Sequence, residues 1–268
     1  MINIIIKAGL CNQLFMIFAG ISYAIDNNMD FSILVQKVSN NYFDNFLLNL
    51  RKYIIYKIDD TFVNYKETNY HYDPIPVNKN INIEGFFQSC KYFEKNYEKI
   101  INMIDIPNKK IEIYNKYSHL FVRPNVAIHF RIGDYYGLQY YHPILSFYYY
   151  LNSLNFIEKK LNNKNFNIYL FYQKCDKNLI ELYQRKLIEC GYHNSFMIND
   201  DIEDYNQLIL MSLCDNMIIA NSTFSWFGAY LSTSENKIVC YPSVWFGEGH
   251  KNNNTKDLFP TGWHQIQA

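Results

Sequence analysis

From about residue 122 onward, short apolar segments alternate with longer segments of helical periodicity, and this alternation constrains the fold more than any other feature. Strands are predicted at residues 126–130, 167–172, 195–198, 217–220 and 237–241, and helices at residues 143–161, 177–190, 202–214 and 223–231. A strand followed repeatedly by a helix predicts a parallel sheet with right-handed crossovers.

The N-terminal part of the chain has a similar but less regular pattern. Strands are predicted at residues 2–6, 31–35, 53–56 and 81–83, helices at residues 14–25, 42–50, 91–101 and 109–117, and a loop at residues 73–76. We therefore predict an α/β protein with two Rossmann-like lobes facing across a cleft, residues 1–122 forming the first lobe and residues 123–268 the second.

Composition excludes several classes of protein. The 268 residues carry 25 basic and 25 acidic side chains, so no basic surplus favours a nucleic-acid partner. The six cysteines form no C-x-x-C pair and are interpreted as reduced core thiols. The apolar run at residues 1–6 is too short for a signal peptide or a membrane span, so we expect a cytoplasmic location.

The predicted strand at residues 126–130 ends in polar residues. His129 and Arg131 are two residues apart and share one face of an extended chain, and Gly133 and Asp134 follow. In open α/β sheets ligands bind at the carboxyl ends of strands, and the guanidinium fork matches a phosphate. Arg131 would then hold the diphosphate of a nucleotide-sugar with help from His129. Pairing of Arg131 with Asp134 in a structural turn is the equally weighted alternative.

A second strand end has the same character. After the apolar residues 218–220 come Asn221, Ser222 and Thr223, which begin a predicted helix. The hydroxyls can cap that helix, and its N-terminus favours a phosphate. Capping alone is the alternative, but this turn belongs to the same predicted sheet as Arg131. Near the start of the chain, the turn at residues 7–13 likewise places the Asn12 amide at a helix start, where anions and hydroxyls bind.

Four blocks of the chain together resemble glycosyltransferase family 11, the α-1,2-fucosyltransferases. Residues 7–15 are similar to the Gly-Gly-Leu-Gly-Asn-Gln-Leu-Phe start of the family, and Gly85-Phe86-Phe87-Gln88-Ser89 to its Gly-Tyr-Phe-Gln-Ser block. Residues 129–135 resemble His-x-Arg-Arg-Gly-Asp-Tyr, and residues 210–231 resemble the Leu-Met-Ser-x-Cys and Ala-Asn-Ser-Thr-Phe-Ser-Trp-Trp-Gly-Ala run.

The resemblance implies a GT-B-like fold and an inverting transfer of L-fucose from GDP-fucose to the 2-hydroxyl of a galactose-containing glycan. It implies no cofactor and no metal. By the same resemblance the catalytic candidates are Arg131, His129, Asp134 and Asn12. The donor-binding candidates are Gly9, Arg131, Gln207, Asn221, Ser222, Thr223, Phe224 and Ser225. In such a transfer the leaving GDP needs its growing charge offset, which an arginine and a helix N-terminus can do.

Some positions depart from the family pattern. Ala8 and Cys11 replace glycines, and Ile132 replaces the second arginine; Cys11 would obstruct a positive φ or a close approach of ligand. Residues 172–176 lack an expected acidic pair, and Gln207 stands where an acid would read guanine. A transferase for another nucleotide-sugar and an inactive sugar- or nucleotide-binding protein therefore remain as alternatives.

Other candidates stay open. The general base is assigned to no single residue among Asp134, Glu84 and His142. His250 and His264 are interpreted as surface residues, and the aromatic residues of the C-terminal tail as packing groups: Trp245, Phe246 and Trp263. Because lipid-linked glycans are common acceptors of such enzymes, peripheral contact with a membrane stays open as well.

Overall fold

The computed structural model describes residues 1–198 and 201–268. Within these residues the chain forms two compact units. The N-terminal unit is Met1–Lys109 with Asn252–Pro260, and the C-terminal unit is Lys110–Lys251 with Thr261–Ala268. The boundary of functional lobes at residues 122 and 123 stays a prediction.

The N-terminal unit contains a five-stranded sheet in the order β3-β2-β1-β5-β4, and every neighbouring pair in it is parallel. Its strands are β1 (Ile2–Ala8), β2 (Phe31–Val38), β3 (Ile54–Ile55), β4 (Val63–Lys66) and β5 (Ile81–Glu84). The central strand β1 is apolar and pairs on both sides, since Ile2 lies opposite Phe31 and opposite Ile81. Such two-sided burial explains its continuous isoleucine run.

Helix α1 (Leu10–Asp26) packs its apolar residues against this sheet, and α2 (Tyr97–Met103) and α3 (Ile106–Tyr117) follow later in the chain. The helix predicted at residues 42–50 is wrong: turns precede a 3-10 helix at Leu48–Tyr53. The Asn41 and Asn45 side-chain oxygens accept the backbone N–H groups of Phe43 and Phe46, which competes with helical hydrogen bonds. The helix predicted at residues 91–101 begins as two 3-10 turns and becomes α-helical only at Tyr97.

The C-terminal unit contains a six-stranded sheet in the order β11-β10-β9-β6-β7-β8, again with parallel neighbours throughout. Its strands are β6 (Asn125–His129), β7 (Asn167–Phe171), β8 (Ser195–Met197), β9 (Asn216–Ile218), β10 (Val239–Pro242) and β11 (His264–Ile266). Besides most of α3, this unit contains the helices α4 (Phe147–Leu161), α5 (Lys177–Glu189), α6 (Asp204–Ser212) and α7 (Thr223–Leu231). The predicted parallel α/β fold is therefore confirmed.

The core of this unit lies between the central strands and α4. Val126, Ile128 and Ile218 from the sheet pack with Tyr149 and Leu154 of α4, all essentially without solvent exposure. The buried Tyr149 hydroxyl donates to the Ile219 carbonyl at 2.7 Å, so its polar group is satisfied. Among the described residues no helix is long and apolar enough to cross a bilayer.

Each sheet has one switch point, the place at which the order of the strands reverses. In the N-terminal unit the chain runs outward through β1, β2 and β3 and returns to place β5 on the other side of β1. In the C-terminal unit it runs through β6, β7 and β8 and returns to place β9 beside β6. Loops at the carboxyl ends of such strand pairs diverge and leave a crevice, which is where open α/β sheets bind ligands.

Candidate functional site

The switch point of the C-terminal sheet brings two of the predicted blocks together. Arg131 follows β6, and the turn of Asn221 and Ser222 follows β9, the neighbouring strand. Tyr135 connects them, since its hydroxyl donates to the Asn221 carbonyl at 3.1 Å while the Arg131 guanidinium lies 5.1 Å from its ring centre. The structure thus brings a cation and the N-terminus of α7 to one edge of one sheet.

Arg131 makes the ion pair that the alternative interpretation required. Its Nη2 lies 2.8 Å from Asp134 Oδ1, and the side chains are 26% and 55% exposed. A pair this accessible to solvent contributes little stability. It leaves most of the guanidinium fork able to accept another anion, so the pair and a phosphate site are compatible.

His129 is buried just below Arg131. Its side chain is 5% exposed, its ring centre lies 5.2 Å from that of Phe224, and Nδ1 has no hydrogen-bond partner among the described residues. Burial, and then the charge of Arg131, lower the pKa of His129 to about 3. The imidazole is therefore neutral near pH 7 and offers a ligand one N–H, not a positive charge.

Two residues after β7 support this loop, and sequence reasoning missed both. The Asp176 carboxylate, 6% exposed, accepts the Gly133 N–H at 3.0 Å. Gly133 lies directly against the end of the Gln173 side chain, which would have to move aside for a methyl group at position 133. The sequence shows Asp176 shortly after an apolar strand, but it does not show that Gly133, 43 positions earlier, is its partner.

The block at Asn221–Ser225 is largely structural in its hydrogen bonds. Ser222 caps α7 by accepting the Phe224 N–H at 3.3 Å, and the Asn221 amide donates to the carbonyls of Pro143 and Trp245. Ser225 is fully buried and its hydroxyl accepts the Ala220 N–H at 3.2 Å. Ser222, Thr223 and Phe224 stand at the start of α7, whereas the Ser225 side chain lies inside the fold.

Buried polar atoms without partners gather at strand ends. Within residues 1–198 and 201–268 there are four such side-chain atoms: Gln13 Oε1, His129 Nδ1, Gln173 Oε1 and Asn221 Oδ1. The last three lie at or just after the carboxyl ends of β6, β7 and β9, three adjacent strands. Since buried polar groups normally find partners, their concentration at one edge points to a binding function.

His142 lies beside this edge. Its ring stacks on Tyr135 at 4.9 Å between centres and is 5.6 Å from that of His250. Burial, and then His250, lower the pKa of His142, so it keeps a basic lone pair near neutral pH. The interpretation of His250 and His264 as surface residues is wrong in part, because His250 contacts Tyr141 and His264 packs on Phe156 in a half-buried strand.

The remaining candidate in this unit is Gln207. It lies on α6, and its side-chain amide donates to the Ile202 carbonyl at 2.8 Å. Its role in reading a base stays a prediction. The packing interpretation of the tail agrees with a buried Trp245 and with Trp263, whose ring centre is 5.6 Å from that of Trp226.

Gly9 and Asn12 lie in the N-terminal unit, at the end of β1 and the start of α1. Gly9 is the N-cap residue of α1, and as a glycine it gives the helix no side-chain cap. The positive φ of this turn falls on Ala8, at +65°, not on Cys11, which lies within α1 and is buried. The expectation that Cys11 would obstruct a positive φ is therefore wrong, because the helix has already begun at Leu10.

The neighbouring strand β5 ends in Glu84, whose carboxylate lies 2.9 Å from Lys7 Nζ. The hydrogen bond from Lys7 lowers the pKa of Glu84, which makes it a weaker base. Glu67, at the end of β4, accepts the N–H groups of Phe86 and Phe87 at 2.6 and 3.1 Å, and burial raises its pKa. Sequence reasoning missed Glu67 because it precedes these partners by about twenty positions and follows an unpredicted edge strand.

Two parallel α/β units with polar motifs at their switch points form the architecture of GT-B glycosyltransferases, and solved structures agree. The NodZ α-1,6-fucosyltransferase soaked with GDP-fucose superposes with a TM-score of 0.51 at 10% identity, over 86% of this chain and 91% of that one. The ADP-heptose LPS heptosyltransferase II of E. coli gives a TM-score of 0.50 at 10% identity, over 98% and 89%. At these identities the likeness concerns the fold alone.

The chain belongs to glycosyl transferase family 11, whose family model matches residues 50–267. It is 27% identical over 184 residues to the O-antigen biosynthesis glycosyltransferase WbnK of Escherichia coli, covering 65% of this chain and 58% of that protein. It is 28% identical over 193 residues to an α-1,2-colitosyltransferase of Escherichia coli, covering 68% and 61%. The matches thus span about three fifths of the length of these relatives, and the predicted family is confirmed.

Proposed function

We propose that the protein is an inverting glycosyltransferase that moves L-fucose from GDP-fucose to the 2-hydroxyl of a galactose-containing glycan. One observation carries the proposal: Arg131 and the N-terminus of α7 lie at the ends of the neighbouring strands β6 and β9, at a switch point. A cation and aligned backbone N–H groups at that edge suit a diphosphate. Membership of family 11 supports the reaction class. The choice of donor and linkage is supported by the resemblance of the four sequence blocks to α-1,2-fucosyltransferases.

In this proposal the chain assists departure of GDP. The Arg131 fork binds phosphate oxygens, and the first N–H groups of α7 share the charge that grows on the leaving group. His129 is buried and neutral, so it can offer the donor one N–H or one lone pair. Its role is therefore to orient the donor and not to compensate the charge of the phosphates. The transferred sugar passes through an oxocarbenium-like state, so leaving-group stabilisation lowers much of the barrier.

Among the three candidate bases, His142 fits the role best. Asp134 is paired with Arg131 and Glu84 with Lys7, and the hydrogen bond from Lys7 lowers the pKa of Glu84, which makes Glu84 a weaker base. The lowered pKa of His142 keeps its imidazole unprotonated at neutral pH, which a base that accepts the hydroxyl proton requires.

The test is acceptor-dependent release of GDP from GDP-fucose with lactose or N-acetyllactosamine, in EDTA. Arg131→Ala should lose ~10²–10³ in turnover if Arg131 stabilises the leaving diphosphate. Arg185→Ala, which removes an exposed arginine of α5 in the same unit, is the matched control and should stay active. Near-normal turnover of Arg131→Ala would remove the role of Arg131, and loss of activity in EDTA that Mg²⁺ restores would remove the metal-independent mechanism.

A second donor has support of its own. One relative is named as an α-1,2-colitosyltransferase, that is, for the transfer of a sugar other than fucose. Gln207, in place of the acid expected to read guanine, is also compatible with a different nucleotide. Running nucleotide-activated colitose beside GDP-fucose at equal concentrations decides between them. A higher kcat/KM for the colitose donor would replace the fucosyl assignment, whereas binding of both donors without turnover would favour the inactive binding protein.

A further inference from the structure

Two blocks that are far apart in sequence meet at the switch point of the N-terminal sheet. Asn12 stands in the first turn of α1, after β1, and Gln88 follows β5, the strand beside β1. Gln88 Nε2 donates to Asn12 Oδ1 at 2.9 Å. The hydroxyl of Tyr70 in turn donates to Gln88 Oε1. These three side chains form a single hydrogen-bonded chain that runs from Tyr70 to Asn12.

The position of Gln88 is fixed by the residues before it. Phe87 is fully buried and has φ of +51°, a conformation that bulky residues rarely adopt. Its N–H and that of Phe86 are both held by the Glu67 carboxylate, and a methyl group on Gly85 would collide with the Glu67 side chain. A strained backbone persists only where its surroundings over-determine it, and here Glu67 holds the backbone that leads into Gln88.

In this chain of hydrogen bonds Asn12 uses its amide oxygen, which leaves the amide nitrogen as the free end. Its oxygen is occupied by Gln88, which is itself 8% exposed, while Nδ2 has no partner among the described protein groups and Asn12 is partly exposed. An amide has two ends of nearly the same shape and opposite polarity, so a neighbour that binds one end decides what the other presents. Asn12 thus presents N–H groups.

That polarity matches the place where Asn12 stands. The N-terminus of the 17-residue helix α1 has no side-chain cap and no acidic residue in its first turn. Its positive end attracts an electron-rich oxygen. An outward N–H of Asn12 adds to that attraction, whereas an outward amide oxygen would oppose it.

We propose that Gln88, held by Tyr70, is a positioning residue that orients the Asn12 amide so that Nδ2 donates to an oxygen of the bound sugar or phosphate. The identity of that ligand rests on the function proposed above. The orientation itself does not, because it follows from contacts within the protein. Gln88 need not touch a ligand in order to matter for turnover.

The decisive variant is Gln88→Glu. A carboxylate can only accept, so it would draw Asn12 Nδ2 toward itself and turn the amide oxygen outward. We expect kcat/KM to fall by ~10–100-fold, the range for a lost hydrogen bond replaced by an unfavourable contact. Gln88→Met, which only frees the amide, should lose less. Gln36→Glu makes the same change at an exposed position of β2 in the same unit and should stay near wild type.

A double-mutant cycle separates positioning from general damage. If Gln88 acts through Asn12, Gln88→Glu should cost almost nothing further in an Asn12→Ala background. An undiminished cost there would overturn the proposal. So would wild-type kinetics of Gln88→Glu in the Asn12-containing protein.

A readout without substrate keeps the inference independent of the proposed function. With ¹⁵N-asparagine labelling, the Asn12 side-chain amide resonance is the one lost in Asn12→Asp. In Gln88→Glu we expect that resonance to move downfield and to exchange more slowly with solvent, because its N–H now bonds a carboxylate. An unchanged resonance refutes the orientation, whatever the activity. If the resonance moves but the wild type neither transfers nor binds a nucleotide-sugar, the proposed function fails and the orientation stands.

Discussion

The buried His129 should make the stability of the C-terminal unit depend on pH in a specific way. Its folded-state pKa is about 3, against an ordinary value of 6.5. Between these values the unfolded chain binds a proton that the folded chain does not. Stability is therefore present above the ordinary pKa and is lost as the pH falls below it. At pH 5 the loss amounts to about 2 kcal/mol, and it grows by about 1.4 kcal/mol for each further pH unit until the folded pKa is reached.

The perturbation is His129→Phe, which keeps a flat ring beside Phe224 and removes the titrating group. This variant will differ from the wild type at pH 7 through packing alone, so the useful quantity is how that difference changes with pH. We expect the difference in unfolding free energy to shift by about 2 kcal/mol in favour of the variant between pH 7 and pH 5. Other titrating groups affect both proteins equally and cancel.

Urea unfolding followed by tryptophan fluorescence is the appropriate assay. The chain has three tryptophans, Trp226, Trp245 and Trp263, and all lie in the unit that contains His129. His193→Gln alters an exposed histidine of the same unit and should leave the pH dependence unchanged. If the unfolding free energies of wild type and His129→Phe changed in parallel from pH 7 to pH 5, the pKa of His129 would not be lowered by folding. The role of His129 as a neutral group that orients the donor would then be wrong.

Two further substitutions test the turns that carry the site. Ala8→Gly should stabilise the protein by about 0.5 kcal/mol in a denaturant titration followed by circular dichroism, because relief of left-handed strain slightly exceeds the added entropy of the unfolded chain; a loss of stability would show that the turn is not strained. Ser222→Ala should cost about 1 kcal/mol in fluorescence-detected unfolding, through loss of the cap on α7, and an unchanged midpoint would mean that the cap is not formed in solution.

The parts of the fold that depend on local pattern were predictable from the sequence. The run at residues 126–130 and the helix beginning at Thr223 were recognised because burial on both faces of a strand and a capped helix start both leave local signatures. The edge strands β4 and β11 were missed, since strands of four and three residues with little burial are too short for a period-two pattern to stand out.

The parts of the site that depend on tertiary proximity were not predictable. Arg131 and the Ser222 turn were placed together because parallel strands share a carboxyl edge. Asp176 and Glu67 were missed since each acts on backbone N–H groups that lie far away in sequence. The sequence shows a carboxylate, but only the folded backbone shows which N–H groups it reaches.

The departures from the family pattern bear on whether the chain is an enzyme or an inactive binding protein. Ala8 keeps the left-handed backbone that a glycine would adopt, and its carbonyl accepts the Ser39 N–H at 3.0 Å and the Gln13 side chain at 2.8 Å. These bonds hold the turn in shape, so the replacement adds strain without changing the path of the chain. Cys11 lies inside α1 and does not enter that turn.

Ile132 belongs to the hydrophobic core of the C-terminal unit, 2% exposed, whereas Arg131 lies on the accessible side. The two neighbouring side chains thus lie in different surroundings, and the isoleucine adds packing while Arg131 stays accessible. Ala8 and Cys11, the two replacements that favoured an inactive protein, therefore leave the turn after β1 formed, and Ile132 leaves Arg131 accessible. Of the three, only Ala8 has a positive φ, so the effect of Ala8→Gly is expected on stability, whereas the effect of Arg131→Ala is expected on turnover.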